Sequence, residues 1–324
     1  MKKYAMITGV LAMLALSCSP KEAPAGENEA PERLPEAIGL NGTVYFAPED
    51  SPEAYRQKDS LLNLALRDWQ ADTTRVENLI WYGRRVAYMG RYNEAIDIFS
   101  DGLARFPGSA ELYRHRGHRY LTIRQTGKAI QDFEQAARIA VNMPVTIEPD
   151  GLPNKLNIPL SNLQFNIYYH WALAHYLRGE FDRAAELFEN CQLYANNPDL
   201  IVAVTDWLYM TYRRLGRETE AAALLELIYP GMEIIENDAY FNRLLMYAGQ
   251  KEAAELLNLD PAVPVSDKLL TLVTQGYGVG NWYLYNGDTT QAIGVFQQML
   301  ETAYWPAFGY LAAEAELSRL GSGK

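Results

Sequence analysis

The chain has 324 residues, 48% apolar, 12% aromatic and 21% charged. This is the composition of a folded protein with a large core, not of a disordered or collagen-like one. Forty acidic residues outnumber 29 lysines and arginines, for a formal charge of -11; so acidic a chain cannot neutralise many phosphates, which excludes general nucleic-acid binding. Cys18 and Cys191 are the only cysteines, too few for a disulfide framework or, by themselves, a structural zinc site.

Met1-Lys2-Lys3 is a short basic start, followed by an apolar run from Tyr4 to Leu16. The run falls short of the roughly 20 residues of a membrane-spanning helix, so it reads as a secretory signal. No other segment of the sequence reads as a span. Leu14-Ala15-Leu16-Ser17-Cys18 resembles a bacterial lipobox, with Ala15 where the strongest lipoboxes have leucine. That resemblance implies lipidation of Cys18 and loss of a signal peptide at 1–17; the alternative is an ordinary signal with an incidental cysteine. Loss of Lys2 and Lys3 takes the charge from -11 to -11 - 2 = -13. Ser19 is not the aspartate that holds enterobacterial lipoproteins in the inner membrane, so the same resemblance implies a lipid-anchored outer-membrane protein of the bacterial envelope, in either leaflet.

Residues 18–37 carry Pro20, Pro24, Pro31 and Pro35 among five glutamates and have little to bury, which predicts a disordered tether. Residues 38–75 read as an extended segment, packing onto the first helices, and a capping helix over 53–69. From about Pro52 apolar residues recur at three- and four-residue spacing, which predicts helix almost throughout.

A period near 34 runs through the rest. Gly90, Tyr92, Ala95, Ile96, Phe99 and Pro107 are followed in register by Gly117, Tyr120, Ala129, Phe133 and Ala136, then by Ala172, Gly179, Ala184, Phe188 and Cys191. Tyr212, Gly216 and Ala221, then Gly249 and Ala254, then Gly280, Gly287, Ala292, Phe296 and Pro306 continue the pattern. The pattern resembles the tetratricopeptide repeat, in copies at about 76–109, 110–143, 165–198, 202–230, 235–260 and 273–306. The resemblance implies an all-α, right-handed α-solenoid over 76–320, with residues 308–320 as a C-terminal cap. An insert at 144–162 with four prolines interrupts the array; it is either functional or a passive bulge.

Motifs that carry chemistry are sparse. The sequence lacks a phosphate-binding Gly-x-x-x-x-Gly-Lys-Ser/Thr, a Gly-x-Ser-x-Gly elbow and a His-Glu-x-x-His pair. Gly276, Gly278 and Gly280 fall on a predicted A helix and read as close packing. His115, His118, His170 and His175 read as core histidines ahead of a metal site, and Cys191 as a buried thiol. Glu148, Asp150, Asn154 and Asn157 are oxygen donors whose spacing matches no EF-hand loop. Neither catalysis, a cofactor nor a metal is expected.

In tetratricopeptide arrays the A helices line a concave groove. The resemblance therefore implies a partner-binding groove with Arg84, Tyr88, Arg114 and His118 at its N-terminal end, then Asn166, Tyr169 and Tyr176. Asp206, Arg213 and Arg214 follow, and Tyr277, Asn281 and Tyr285 complete it. The clustered arginines predict an attraction for a carboxylate or acidic segment; the alternative is that they pair with glutamates of the chain itself. The expected function is a non-catalytic scaffold that docks an envelope protein or peptide segment. The second reading is a glycan- or peptide-binding accessory of an outer-membrane transport or assembly system.

Overall fold

A computed structural model describes residues 33–151, 153–257 and 265–321. The predicted signal at 1–17, Cys18 and the tether up to residue 32 lie outside the described residues. The chain from Leu34 onward forms one compact unit.

It begins with a small antiparallel hairpin, β1 (Ala37–Ile38) and β2 (Val44–Tyr45). Helix α1 (Pro52–Ala71) follows, where the Ser51 side chain accepts the Ala54 N–H and Pro52 occupies the first turn, where no amide donor is needed. Helical hairpins then succeed one another: α2 (Val76–Tyr88) with α3 (Tyr92–Arg105), α4 (Ala110–Thr122) with α5 (Thr126–Ala140), and α6 (Leu163–Leu177) with α7 (Phe181–Gln192). The next three are α8 (Pro198–Arg214) with α9 (Glu218–Leu225), α10 (Asp238–Tyr247) with α11 (Ala253–Leu257), and α12 (Val265–Tyr285) with α13 (Thr289–Leu300). Helix α14 (Phe308–Gly321) ends the described chain. This is an all-α solenoid of paired helices, with each pair packed on the next.

Two devices repeat. Within a hairpin, a residue without a large side chain on the first helix receives a phenylalanine from the second, sixteen positions on. A Cβ on Gly117 would stand 2.9 Å from Phe133, and one on Gly280 would stand 2.5 Å from Phe296. Between the helices the chain turns through the left-handed region, at φ of 70° to 90° for Gly90, Gly179, Gly216, Gly249 and Gly287. The second hairpin breaks this rule, with Arg124 at φ 66°.

The array curls until its C-terminal end lies against its own A helices. Helix α12 packs on α8 and α10, and α14 packs on α12, α13 and α6. Thirteen of the 15 residues of α6 are consequently buried, so this helix is apolar nearly all round and has no face to offer a partner. Tyr277 of α12 stacks on Trp207 of α8, with centroids 5.5 Å apart, and donates to the Tyr176 hydroxyl of α6 at 2.6 Å. Glu316 of α14 pairs with Arg214 of α8. The expectation of an open groove along the whole array is therefore corrected: α12 and α14 fill its middle and C-terminal part.

The extended segment also does more than pack on the first helices. Tyr45 stacks on Trp305 at 5.2 Å and donates to Glu314 at 2.8 Å, while Glu36 accepts from Asn93 of α3. The hairpin thus touches both ends of the curled array. Arg124 joins them: its guanidinium lies over the Tyr45 and Trp305 rings and bonds Glu314 at 3.0 Å, the Trp305 carbonyl at 3.0 Å and the Thr122 carbonyl at 2.7 Å.

Candidate partner-docking face

The part of the concave side not covered by α12 and α14 is formed by α2, α4 and the insert. Helix α2 presents Trp81, Arg84, Arg85 and Tyr88. Both arginines lie over the Trp81 ring, at 4.2 and 4.9 Å, so their planar cations are held against an aromatic face and aimed by it. Beside them, Leu61, Leu64, Ala65, Asp68, Asn78, Trp81 and Arg85 line a shallow depression of about 210 Å3 between α1 and α2. Leu61 and Leu64 there are exposed at 41% and 47%, large apolar side chains left in water on the end helix of the array.

The insert crosses this face as a short extended strap. Arg84 donates to the Pro149 carbonyl at 3.0 Å and Arg85 to the Gly151 carbonyl at 3.2 Å. A Cβ at residue 151 would overlap the Tyr88 hydroxyl, so the backbone comes this close only because the residue is glycine. Glu148 points inward and pairs with Arg114 at 2.9 Å, with both side chains 10% exposed, and it also accepts from Asn166. The carboxylate on Arg114 thus belongs to the chain itself, which is the alternative to a partner's carboxylate. Ile147 bridges to Asn162 in a single antiparallel pairing. Asn154 closes the strap by accepting the Leu156 and Ile158 amides, a side-chain turn and not a cation cage. Asn154 is thereby spent on backbone and Glu148 Oε2 on Arg114 and Asn166, while Glu148 Oε1 is buried 3.8 Å from His115 Nε2.

Deeper in, α4 carries Arg114, His115, His118 and Arg119. Burial pushes His115 and His118 well below the ordinary imidazole value, with neighbouring arginines adding to the effect. Burial, aided by Arg114, takes His170 down to about 3, so all three rings are neutral at pH 7. His118 lies 4.5 Å from His170 and 5.2 Å from Phe308, ring to ring. His175 instead donates from Nδ1 to the Glu180 carboxylate at 2.5 Å. Among the described residues no group of three or more His, Cys, Asp or Glu side chains is arranged to hold a metal ion. Cys191 is fully buried, with its thiol raised by desolvation.

The remaining predicted groove residues are not brought to a common surface. Tyr176, Tyr277 and Asn281 are at most 2% exposed and bond one another. Tyr169 bonds Tyr240 at 2.9 Å beneath the surface. Asp206 is fully buried against Arg243 in a two-point contact at 2.9 and 2.5 Å. Arg213 lies over Tyr285 at 4.4 Å and reaches Asn286, well down the array from Arg84. Tyr169, Tyr176, Asp206, Tyr277 and Asn281 are thus corrected from partner contacts to an internal network, because the curl of the array converts these groove positions into core, while Arg213 and Tyr285 stay partly exposed. Sequence reasoning missed Trp81 and Arg85; Trp81 lies three positions before Arg84 and Arg85 three before Tyr88, and that spacing was the available signal. The three glycines of α12 face Met299, Arg243 and Phe296 in turn, which is close packing.

Residues 277–308, the hairpin of α12 and α13, match the tetratricopeptide repeat family. No curated protein matches the chain. Among solved structures the chain is similar to YrrB, described as a TPR protein with an unusual peptide-binding site, at 12% identity over 78% of this chain and 97% of that one, TM-score 0.41. It is similar to BtubC (BKLC) from P. vanneervenii at 14% identity over 85% and 93%, TM-score 0.42. MamA follows at 19% identity over 65% and 91%, TM-score 0.40. The chain is an all-α array of helical hairpins, and its α12–α13 hairpin carries the tetratricopeptide signature.

Proposed function

We propose that this protein is a non-catalytic docking protein of the bacterial cell envelope, anchored in lipid through Cys18, that holds an extended segment of a partner protein on the α2–α4 face. The observation that carries the reading is the strap at 148–151. Its contacts run through two backbone carbonyls and one carboxylate, groups that any extended acidic peptide offers, so a face that holds this segment is chemically fit to hold another. The exposed leucines of α1 and the arginine-clamped Trp81 extend that face with apolar area, the composition of interface anchors. Tetratricopeptide arrays serve as a class as protein-interaction scaffolds, which favours docking over catalysis by analogy of fold.

Two experiments test it. A photo-crosslinking residue at Tyr88 in growing cells is expected to trap one partner, and an Arg85→Ala change in the same chain is expected to abolish the adduct. A crosslinker at exposed Gln131 on the outer helix α5 is expected to trap none. An adduct indifferent to position or to Arg85 would refute the assignment of the face. Separately, mass spectrometry is expected to find an N-terminal Cys18 carrying a thioether diacylglycerol and an acylated amine, and Cys18→Ala is expected to release the protein from membranes. An unmodified water-soluble protein refutes the anchor.

A further inference from the structure

Beneath the strap, α2 and α4 enclose a cavity of about 120 Å3 whose polar lining is Arg84, Tyr88, Arg114, His115, His118 and Arg119. Among the described residues no acidic one lines it. Room of this size holds several waters, and so a group of about five heavy atoms. Helix spacing builds the wall: Arg114 with His118 and His115 with Arg119 are two i, i+4 pairs on α4, and Arg84 faces them from α2.

Part of this polar lining is already satisfied. Arg84 donates to Tyr88 and to the strap, and Arg114 uses its terminal nitrogens on Glu148 and His115. Three donors are left over. Arg114 Nε is buried without a hydrogen-bond partner. The His118 ring makes aromatic contacts with His170 and Phe308 and no hydrogen bond among the described residues. The Arg119 guanidinium lies 5.7 Å over the Tyr92 ring, with no carboxylate or carbonyl partner among the described residues. Burial takes it down to about 10, so it remains a cation at pH 7. His118 and Arg119 are partly exposed, so water reaches their side, whereas Arg114 Nε is a wholly buried unmatched donor of the kind that is costly and rarely kept. The cavity gathers three guanidinium-bearing residues, Arg84, Arg114 and Arg119, against the nearby Glu148 and Asp150, in a chain of net charge -11.

We propose that this cavity binds a small tetrahedral oxyanion, phosphate or the phosphoryl group of a phosphate monoester. A carboxylate offers two oxygens in one plane, and Glu148 already supplies one at the rim. Four oxygens pointing to the corners of a tetrahedron can meet the Arg119 fork and the His118 ring while facing the Arg84 cation across the cavity. The site goes beyond the docking reading and stands whether or not a partner protein occupies the face.

The test is calorimetric titration of the purified full chain with inorganic phosphate, at an ionic strength held constant with chloride. One saturable site with a Kd of about 1 mM or tighter is expected. Arg119→Gln is expected to weaken it about tenfold or more, and Arg138→Gln on the outer helix α5 to leave it unchanged. Should Arg119→Gln fail to fold by circular dichroism, His118→Gln takes its place with the same expectation. Acetate is expected not to compete. Glycerol 3-phosphate binding tighter than phosphate identifies a monoester as the ligand, and weaker binding identifies the free ion. Absence of saturable binding, equal binding of acetate, or binding indifferent to Arg119 and His118 overturns the proposal.

Discussion

Arg124 sets two effects against each other. Replacing it with glycine removes the strain of a side chain at φ 66°, worth about 1 kcal/mol, part of which is lost again to the greater freedom of glycine in the unfolded chain. The same change removes the cation paired with Glu314, a carboxylate whose side chain is 2% exposed. Stripping the partner from a buried ion costs about 3–5 kcal/mol. The Tyr45 hydroxyl still donates to Glu314 at 2.8 Å, which places the loss at the lower end of that range. The ion pair therefore outweighs the strain, and Arg124→Gly is expected to destabilise by about 2–3 kcal/mol. Arg124→Ala keeps the strain and loses the contacts, so it is expected to fall about 1 kcal/mol lower still. Adding Glu314→Met to Arg124→Gly removes the orphaned charge and is expected to recover most of the loss. Urea unfolding followed by tryptophan fluorescence measures all four proteins, since Trp305 stacks in the latch itself. Arg124→Gly as stable as the parent, or no gap between the glycine and alanine variants, would refute this weighing of ion pair against backbone.

Gly280→Ala is expected to cost about 1–3 kcal/mol, because its Cβ would stand 2.5 Å from the buried Phe296 ring. Gly294→Ala, in helix α13 with nothing within 4 Å, is expected to gain about 0.5–1 kcal/mol, and equal effects at the two sites in thermal melts would contradict the packing described here. Stability is also expected to fall in mild acid: His115 and His170 are held neutral in the fold, with His170 down at about 3, whereas the unfolded chain takes up their protons below about 6.5. Their contribution is complete above that value and is lost as pH falls towards 3. The loss is about 1.4 kcal/mol for each at pH 5.5, less for His115 if Glu148, 3.8 Å away, receives its charge. A urea midpoint unchanged between pH 7.5 and 5.5 is the contrary result.

How much of this was legible in the sequence follows from how local each cause is. The helices and their pairing rest on short-range chemistry: three- and four-residue apolar spacing, glycine at five of the interhelical turns, and a small residue sixteen positions before a phenylalanine. Such signals repeat along the chain and can be read without knowing what packs where. The same holds for Arg84 and Arg114, whose repeat positions place them on the inner sides of α2 and α4.

What no local signal carries is the curl of the array. Whether Tyr176, Tyr277 and Asn281 line a groove or form a core depends on small rotations between hairpins that accumulate along the solenoid. Here they accumulate until α14 meets α6. The residues that hold the closure lie far apart in the sequence: Arg124 with Glu314, Arg214 with Glu316, Tyr45 with Trp305. Arg124 could be seen to break the glycine rule of the turns, but its reward is a carboxylate 190 positions away. Likewise, the insert could be seen to interrupt the repeat. That Glu148 fills the charge of Arg114 while Arg119 is left without a partner emerges only when the strap is folded back over α2 and α4, because a long-range ion pair depends on distance in space, which the order of residues alone does not set.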